Sequence, residues 1–309
     1  MMRLIHTAQA LVDDLVDVPY LPRRGGNTVA TSHAFYAGGA VTVLAAAAHS
    51  GACCVHAGSV GTGPYGQLIR DALTAAGVTI SSPPVTDMDT GVCLVFVEPT
   101  AERTFVTIQG AERQISVASL ASSQPQPGDY VAISGYTLQG PTGPILLAWL
   151  ATLPAGVHMV LDPGAAFAEL DEPTRAETLT RTTIWTSNAE EAAALTGGTD
   201  MATAAALVAQ HLCPNALTIV RDGPKGCAVH CQGNTTVVPG FAQTPLDTNG
   251  AGDTHTGVLL AELLAGTDLV DAARRANVAG ALKVTRHGLC APPTRQEIDL
   301  FLADQDAGN

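Results

Sequence analysis

Asp247-Thr248-Asn249-Gly250-Ala251-Gly252-Asp253-Thr254 follows a strand-like segment and opens an amphipathic helix expected over residues 252–264. Three small residues there leave the backbone N–H groups of the helix start open to close approach by an anion. Those N–H groups and the positive end of the helix dipole together make an anion site. An acidic residue at such a place fits two chemistries. It can be a capping side chain after a Gly-rich turn, or a general base beside a transferring phosphoryl group. A cap alone does not require three small residues before it.

Outward from this turn, apolar runs alternate with helical patterns. Strands are expected at 4–7, 53–58, 130–134, 158–162, 183–187 and 217–221. Helices are expected at 39–49, 65–76, 144–150, 189–196, 201–210, 252–264 and 269–284. That alternation predicts one α/β domain over residues 1–309, with a doubly wound, mainly parallel central sheet and helices on both faces. Gly266 stands where a helix should stop. Residues 14–34 and 91–109 alternate apolar and polar positions with no helix between, and 98–102 reads as a turn joining strands 92–97 and 103–108. These two segments predict a small antiparallel sheet projecting as a lid.

The chain has 309 residues, 46% hydrophobic but only 4% aromatic, so its core must come from Ala, Val, Leu and Ile. A net charge of −13 repels polyanions and argues against nucleic acid or an anionic membrane as partner. No apolar run reaches the roughly 18–20 residues of a membrane span. The start of the sequence lacks a charged n-region followed by an apolar run, which predicts a cytoplasmic protein. The seven cysteines (53, 54, 93, 213, 227, 231 and 290) form no CxxC pair and are expected to be reduced and mostly buried in strands.

The segment 247–253 resembles the C-terminal signature of the ribokinase/PfkB carbohydrate kinase family, D-T-x-G-A-G-D, and the resemblance runs over nearly the whole chain. It implies a ribokinase-like fold and ATP-dependent phosphorylation of a hydroxyl, a primary alcohol, on a small sugar or sugar derivative. Asp253 would be the base, and Gly250, Ala251 and Gly252 the anion hole. Asn188-Ala189-Glu190-Glu191 resembles the N-x-x-E motif, in which Glu191 helps hold Mg²⁺ through water. As bare residues, Asn188 and Glu191 read equally as a capping box, and the roles can coexist. Arg221-Asp222-Gly223-Pro224-Lys225-Gly226 resembles an ATP loop, carrying over Arg221, Gly223 and Gly226. Ala276-Asn277 and Thr285-Arg286-His287-Gly288 resemble the border of the adenine site, with Asn277 as a nucleotide contact. Asp247 and Asn249 are the candidates for a monovalent cation such as K⁺.

On the acceptor side, the resemblance aligns Asp13 with a carboxylate that binds substrate hydroxyls, which a carboxylate at a strand end does well. Ala37-Gly38-Gly39-Ala40 resembles the first signature, G-G-x-x-x-N, but Ala37 replaces the first glycine and Thr42 the asparagine. That departure puts ribose in doubt. Gln109-Gly110-Ala111-Glu112-Arg113 aligns with a loop that often reads P-G-A-N. Arg113 there could meet a phosphate, carboxylate or sulfonate, or be a solvated charge.

Two further readings compete. A nucleoside would be an acceptor of the same family, with few aromatics in the lid to stack its base. From a different class, Gly61-Thr62-Gly63-Pro64-Tyr65-Gly66 fits the dinucleotide fingerprint G-x-G-x-x-G with Asp87 and Asp89 downstream, as an NAD(P)-dependent oxidoreductase would have it. That reading leaves 247–253 unexplained. A nucleotide-binding protein without catalysis would not need Asp253, the small residues and Glu191 together. In many relatives two lids pair, so a homodimer through the lid is expected.

Overall fold

The computed structural model describes residues 2–100, 102–286 and 291–307. Thirteen strands follow in chain order: β1 (Arg3–His6), β2 (Ala10–Asp17), β3 (Ser32–Gly39), β4 (Cys53–His56), β5 (Thr79–Ile80), β6 (Val92–Val97), β7 (Arg103–Ile108), β8 (Tyr130–Ser134), β9 (His158–Asp162), β10 (Ile184–Asn188), β11 (Leu217–Arg221), β12 (Gly226–Cys231) and β13 (Asn234–Pro239). Nine of them form one sheet in the order β13-β12-β11-β10-β9-β8-β1-β4-β5. From β11 to β5 the neighbours run parallel. The β12–β13 hairpin closes one edge antiparallel. The sequence reading did not separate that hairpin, because its strands carry polar, exposed positions such as Thr235 and Thr236.

Successive residues of the central strands point to opposite faces. Leu4, Cys54 and Ile219 belong to one apolar cluster, with Leu44, Leu73, Val258 and Val278 from the helices on that side. Ile5, Val55 and Val220 belong to the other, with Trp149, Trp185 and Phe167. Both faces are therefore covered, as a parallel sheet requires. Chain order runs outward from β1 in both directions, to β4 on one side and β8 on the other. The gap between β1 and β8 is thus the topological switch point, where open α/β sheets form their crevice.

The second sheet has the order β3-β2-β6-β7. It is mixed: β2–β3 and β6–β7 pair antiparallel, but β2–β6 pairs parallel. This corrects the expectation of an antiparallel lid. The lid strands also reach beyond residue 14 and residue 34, to Ala10 and Gly39, so Asp13 sits within a strand and not at a strand end. Among the described residues no single helix is long and apolar enough to cross a membrane. Of the six cysteines described, Cys54, Cys93 and Cys227 are buried, Cys53 is exposed, and Cys213 lies outside any strand.

Candidate active site

Two cavities open at the crevice, and they share a wall. The first, of about 620 Å³, is roofed by the lid and floored by the ends of β1, β8 and β9. The second, of about 580 Å³, lies over β10, β11 and the helices Ala251–Leu264 and Leu269–Lys283. Tyr136, Asp162 and Asp253 line both.

The helix bearing Asp253 starts at Gly250, whose φ of 71° is the left-handed conformation that glycine adopts without strain. No side chain caps this helix. Asp253 is therefore not its cap; Ala251 N makes a long bond to Thr248 O at 3.4 Å, and no side chain takes the first-turn N–H groups. Asp247 shapes the preceding turn by accepting from Asn249 N at 2.8 Å. Arg221 braces it from below: its guanidinium donates to Ser187 O (3.1 Å), Gly252 O (2.6 Å) and Thr256 Oγ1 (2.9 Å) and stands 3.8 Å from Asp162. The residue read as an ATP contact thus ties the end of β11 to the start of the helix that bears Asp253.

Burial pushes the Asp253 carboxyl up to about 7; the Asp162 charge adds to this, Arg221 opposes it, Glu191 adds and Lys283 opposes. Asp13 is also pushed up to about 7, by burial and then by the charge of Asp253. A carboxyl poised near neutrality is what a general base at physiological pH needs. Asp13 reaches the cavity because Gly38 lies beside it across the β2–β3 pair; a Cβ on Gly38 would overlap the Asp13 carboxylate. Gly39 lines the same cavity. Thr42 does not: it is buried inside the helix Ala40–His49.

The nucleotide-side candidates gather as expected around the second cavity. Asn188, Glu191, Arg221, Gly223, Gly226 and Asn277 all line it. Asn188 and Glu191 form a reciprocal capping box, Glu191 N to Asn188 Oδ1 at 2.8 Å and Asn188 N to Glu191 Oε2 at 2.9 Å. Burial and then the Asp162 charge raise the Glu191 carboxyl. The Asn277 amide is spent on structure: Nδ2 donates to Val238 O and Pro239 O, and Oδ1 faces His255 Nε2 at 3.1 Å. Asp247 and Asn249 face a separate hollow under the lid, where Asp247 pairs with Arg103 at 3.6 Å. The expected adenine border at 285–288 lies in part outside the described residues. Asp162 and Tyr136 were missed by the sequence reading. The only signal for Asp162 was a carboxylate at the C-terminal end of a parallel strand.

The fingerprint Gly61–Gly66 is a structural turn. Asp89 accepts from Tyr65 N at 3.0 Å and Gly66 N at 2.8 Å, so the start of the helix Pro64–Ala75 is already occupied by an internal carboxylate. No pyrophosphate can use those N–H groups, and the oxidoreductase alternative falls with it.

Residues 7–296 match the pfkB family carbohydrate kinase. The chain belongs to that family. This ATP-dependent carbohydrate kinase is 29% identical to the uncharacterized sugar kinase YegV of Escherichia coli (strain K12), over 94% of this chain and 90% of that protein. It is 27% identical to an ATP-dependent ribose-1-phosphate kinase of Halopiger xanaduensis, over 99% of both chains. In fold it resembles Arabidopsis thaliana ribokinase complexed with ribose and ATP, with a TM-score of 0.80 and 23% identity over 98% of this kinase and 99% of that chain.

Proposed function

We propose that the kinase transfers the terminal phosphoryl group of ATP to a primary hydroxyl of a small sugar or sugar derivative bound under the lid. One observation carries this reading: Asp253 lines both cavities at the start of an uncapped helix. The acceptor occupies the lid-side cavity, with Asp13 accepting from its hydroxyls. The nucleotide occupies the other, its polyphosphate directed toward Gly250, Ala251 and Gly252.

Asp253 takes the proton of the attacking hydroxyl. The acceptor oxygen forms a bond to the terminal phosphorus as the bond from phosphorus to the bridging oxygen breaks, and the electron pair leaves with ADP. The N–H groups of the helix start stabilise the charge on the transferring group. Glu191 and Asp162, two carboxylates of which the Asp162 charge raises the Glu191 carboxyl, suit Mg²⁺, which takes one or two carboxylates together with substrate phosphates. Mg²⁺ would supply charge neutralisation across those phosphates. Asp247, already paired with Arg103, gives no comparable support to a K⁺ site.

Asp253→Asn tests the assignment. It should retain nucleotide binding and lose about 10²–10⁴-fold in kcat; undiminished turnover would overturn the role of Asp253. The lid edge strand β7 exposes Val106 and Ile108, so the kinase pairs with a second copy through its lid. Light scattering at micromolar concentration should report a dimer, and a monomer there would refute the pairing.

A further inference from the structure

Arg113 stands on a short turn, Ala111–Arg113, immediately after β7, and its side chain lines the acceptor cavity. The guanidinium is fixed by two backbone carbonyls of residues on the cavity wall. Nη1 donates to Tyr136 O at 2.9 Å and Nη2 donates to Gln139 O. Nε is buried and has no hydrogen-bond partner among the described residues. The neighbouring carboxylate does not answer it: Glu112 accepts from Gly110 N at 2.8 Å and Gly91 N at 2.6 Å, holding the base of the lid. Burial lowers the Arg113 pKa from its ordinary value, with the Glu112 charge opposing. A guanidinium in proteins stays charged all the same.

A desolvated N–H on a fixed cation costs free energy until something accepts from it. A sugar hydroxyl would be a weak acceptor for it. A phosphate or carboxylate oxygen would be a strong one, and the planar guanidinium is suited to both. The cavity lining carries four carboxylates, Asp13, Glu112, Asp162 and Asp253, and this one arginine. Glu112 is engaged by Gly91 N and Gly110 N, so Arg113 is the lining cation available to an anionic group on a ligand whose hydroxyls meet Asp13.

We infer that the acceptor of this kinase carries an anionic group, a phosphate ester or a carboxylate, which Arg113 binds away from the reacting hydroxyl. The inference rests on the reading of the lid-side cavity as the acceptor site.

The test is steady-state kinetics with ribose, fructose, ribose 1-phosphate, fructose 6-phosphate and gluconate, using the wild type, Arg113→Gln and Arg113→Lys. Calorimetric titration of the same compounds without nucleotide runs in parallel. The wild type should prefer a phosphate- or carboxylate-bearing acceptor over the neutral sugars by about 10- to 100-fold in kcat/KM. The phosphate and carboxylate arms tell which anion is meant. Arg113→Gln should erase the preference through KM, and Arg113→Lys should restore part of it. Preference for a neutral sugar in the wild type, or an unchanged ratio in a folded Arg113→Gln, would overturn the inference while leaving the kinase reading intact. If Arg113→Gln does not fold, Arg113→Lys decides, since loss of the planar fork should still weaken anionic acceptors selectively. If no acceptor is phosphorylated, the kinase reading fails, and Arg113-dependent calorimetric binding of the anionic compounds alone decides this point.

Discussion

Asp253 lies among carboxylates, and its titration should show it. Burial and the charge of Asp162 hold its carboxyl up to about 7. A general base works only when deprotonated, so in the proposed role of Asp253 kcat/KM should rise with pH through an apparent pKa near 7, a value that reports the coupled set with Asp13 and not one group alone. Asp162→Asn removes the second-largest cause and should move that rise toward lower pH, read from a kcat/KM profile between pH 5 and 9; an unmoved profile would argue against this coupling. Asp253 stood out in the sequence because a Gly-Ala-Gly turn before an acid has few other uses, and the structure puts it on the lining of both cavities. Asp162 was not, because a lone aspartate at a strand end has many. Asp13 was expected at a strand end and lies within β2, since that position depends on pairing with β3, which local sequence does not reveal.

At the scale of elements, helix starts are put to contrasting uses. The helix Ala251–Leu264 has no side-chain cap, while Pro64–Ala75 gives its first N–H groups to Asp89. Asp89→Ala should therefore cost about 1–2 kcal/mol of stability, the usual size of a lost helix cap. Urea unfolding would measure it, and an unchanged midpoint would show that the cap is dispensable. The strands 92–97 and 103–108 were readable to the residue, because a two-residue alternation broken by Glu98-Pro99-Thr100 marks its own hairpin. The parallel β2–β6 pair was not, because its partners lie some 80 positions apart and nothing local encodes the pairing. Arg103 extends from β7 to Asp247 and Thr248, so the lid touches the turn before Asp253 directly.

At the scale of the whole molecule, three histidines among the described residues, His6, His56 and His255, are buried. Burial lowers His6 and His255 to about 3 and His56 to about 4. Neither ring nitrogen of His56 has a partner among the described residues. Below about 6.5 the unfolded chain takes up a proton that the folded imidazole refuses, so this stability is lost as pH falls toward 4. Asp13 and Asp253 act in the opposite sense, since the fold holds their protons more tightly. The clean measurement is therefore a difference: the Tm of His56→Leu minus that of the wild type should grow as pH falls from 7 to 4, and a constant difference would contradict it. No sequence pattern announced these histidines, because burial of an isolated polar ring follows from tertiary packing. The mainly parallel sheet was readable, because six apolar strands separated by helices admit few other architectures, whereas the strand order and the short β5 were not read from the sequence. The partition with Asp253, Asp162 and Tyr136 at its rim has a consequence of its own. An adenosine polyphosphate covalently joined to a sugar could thread both hollows at once, and its second half would then bind at a local concentration of about millimolar order, set by the tether and independent of how much compound is in solution.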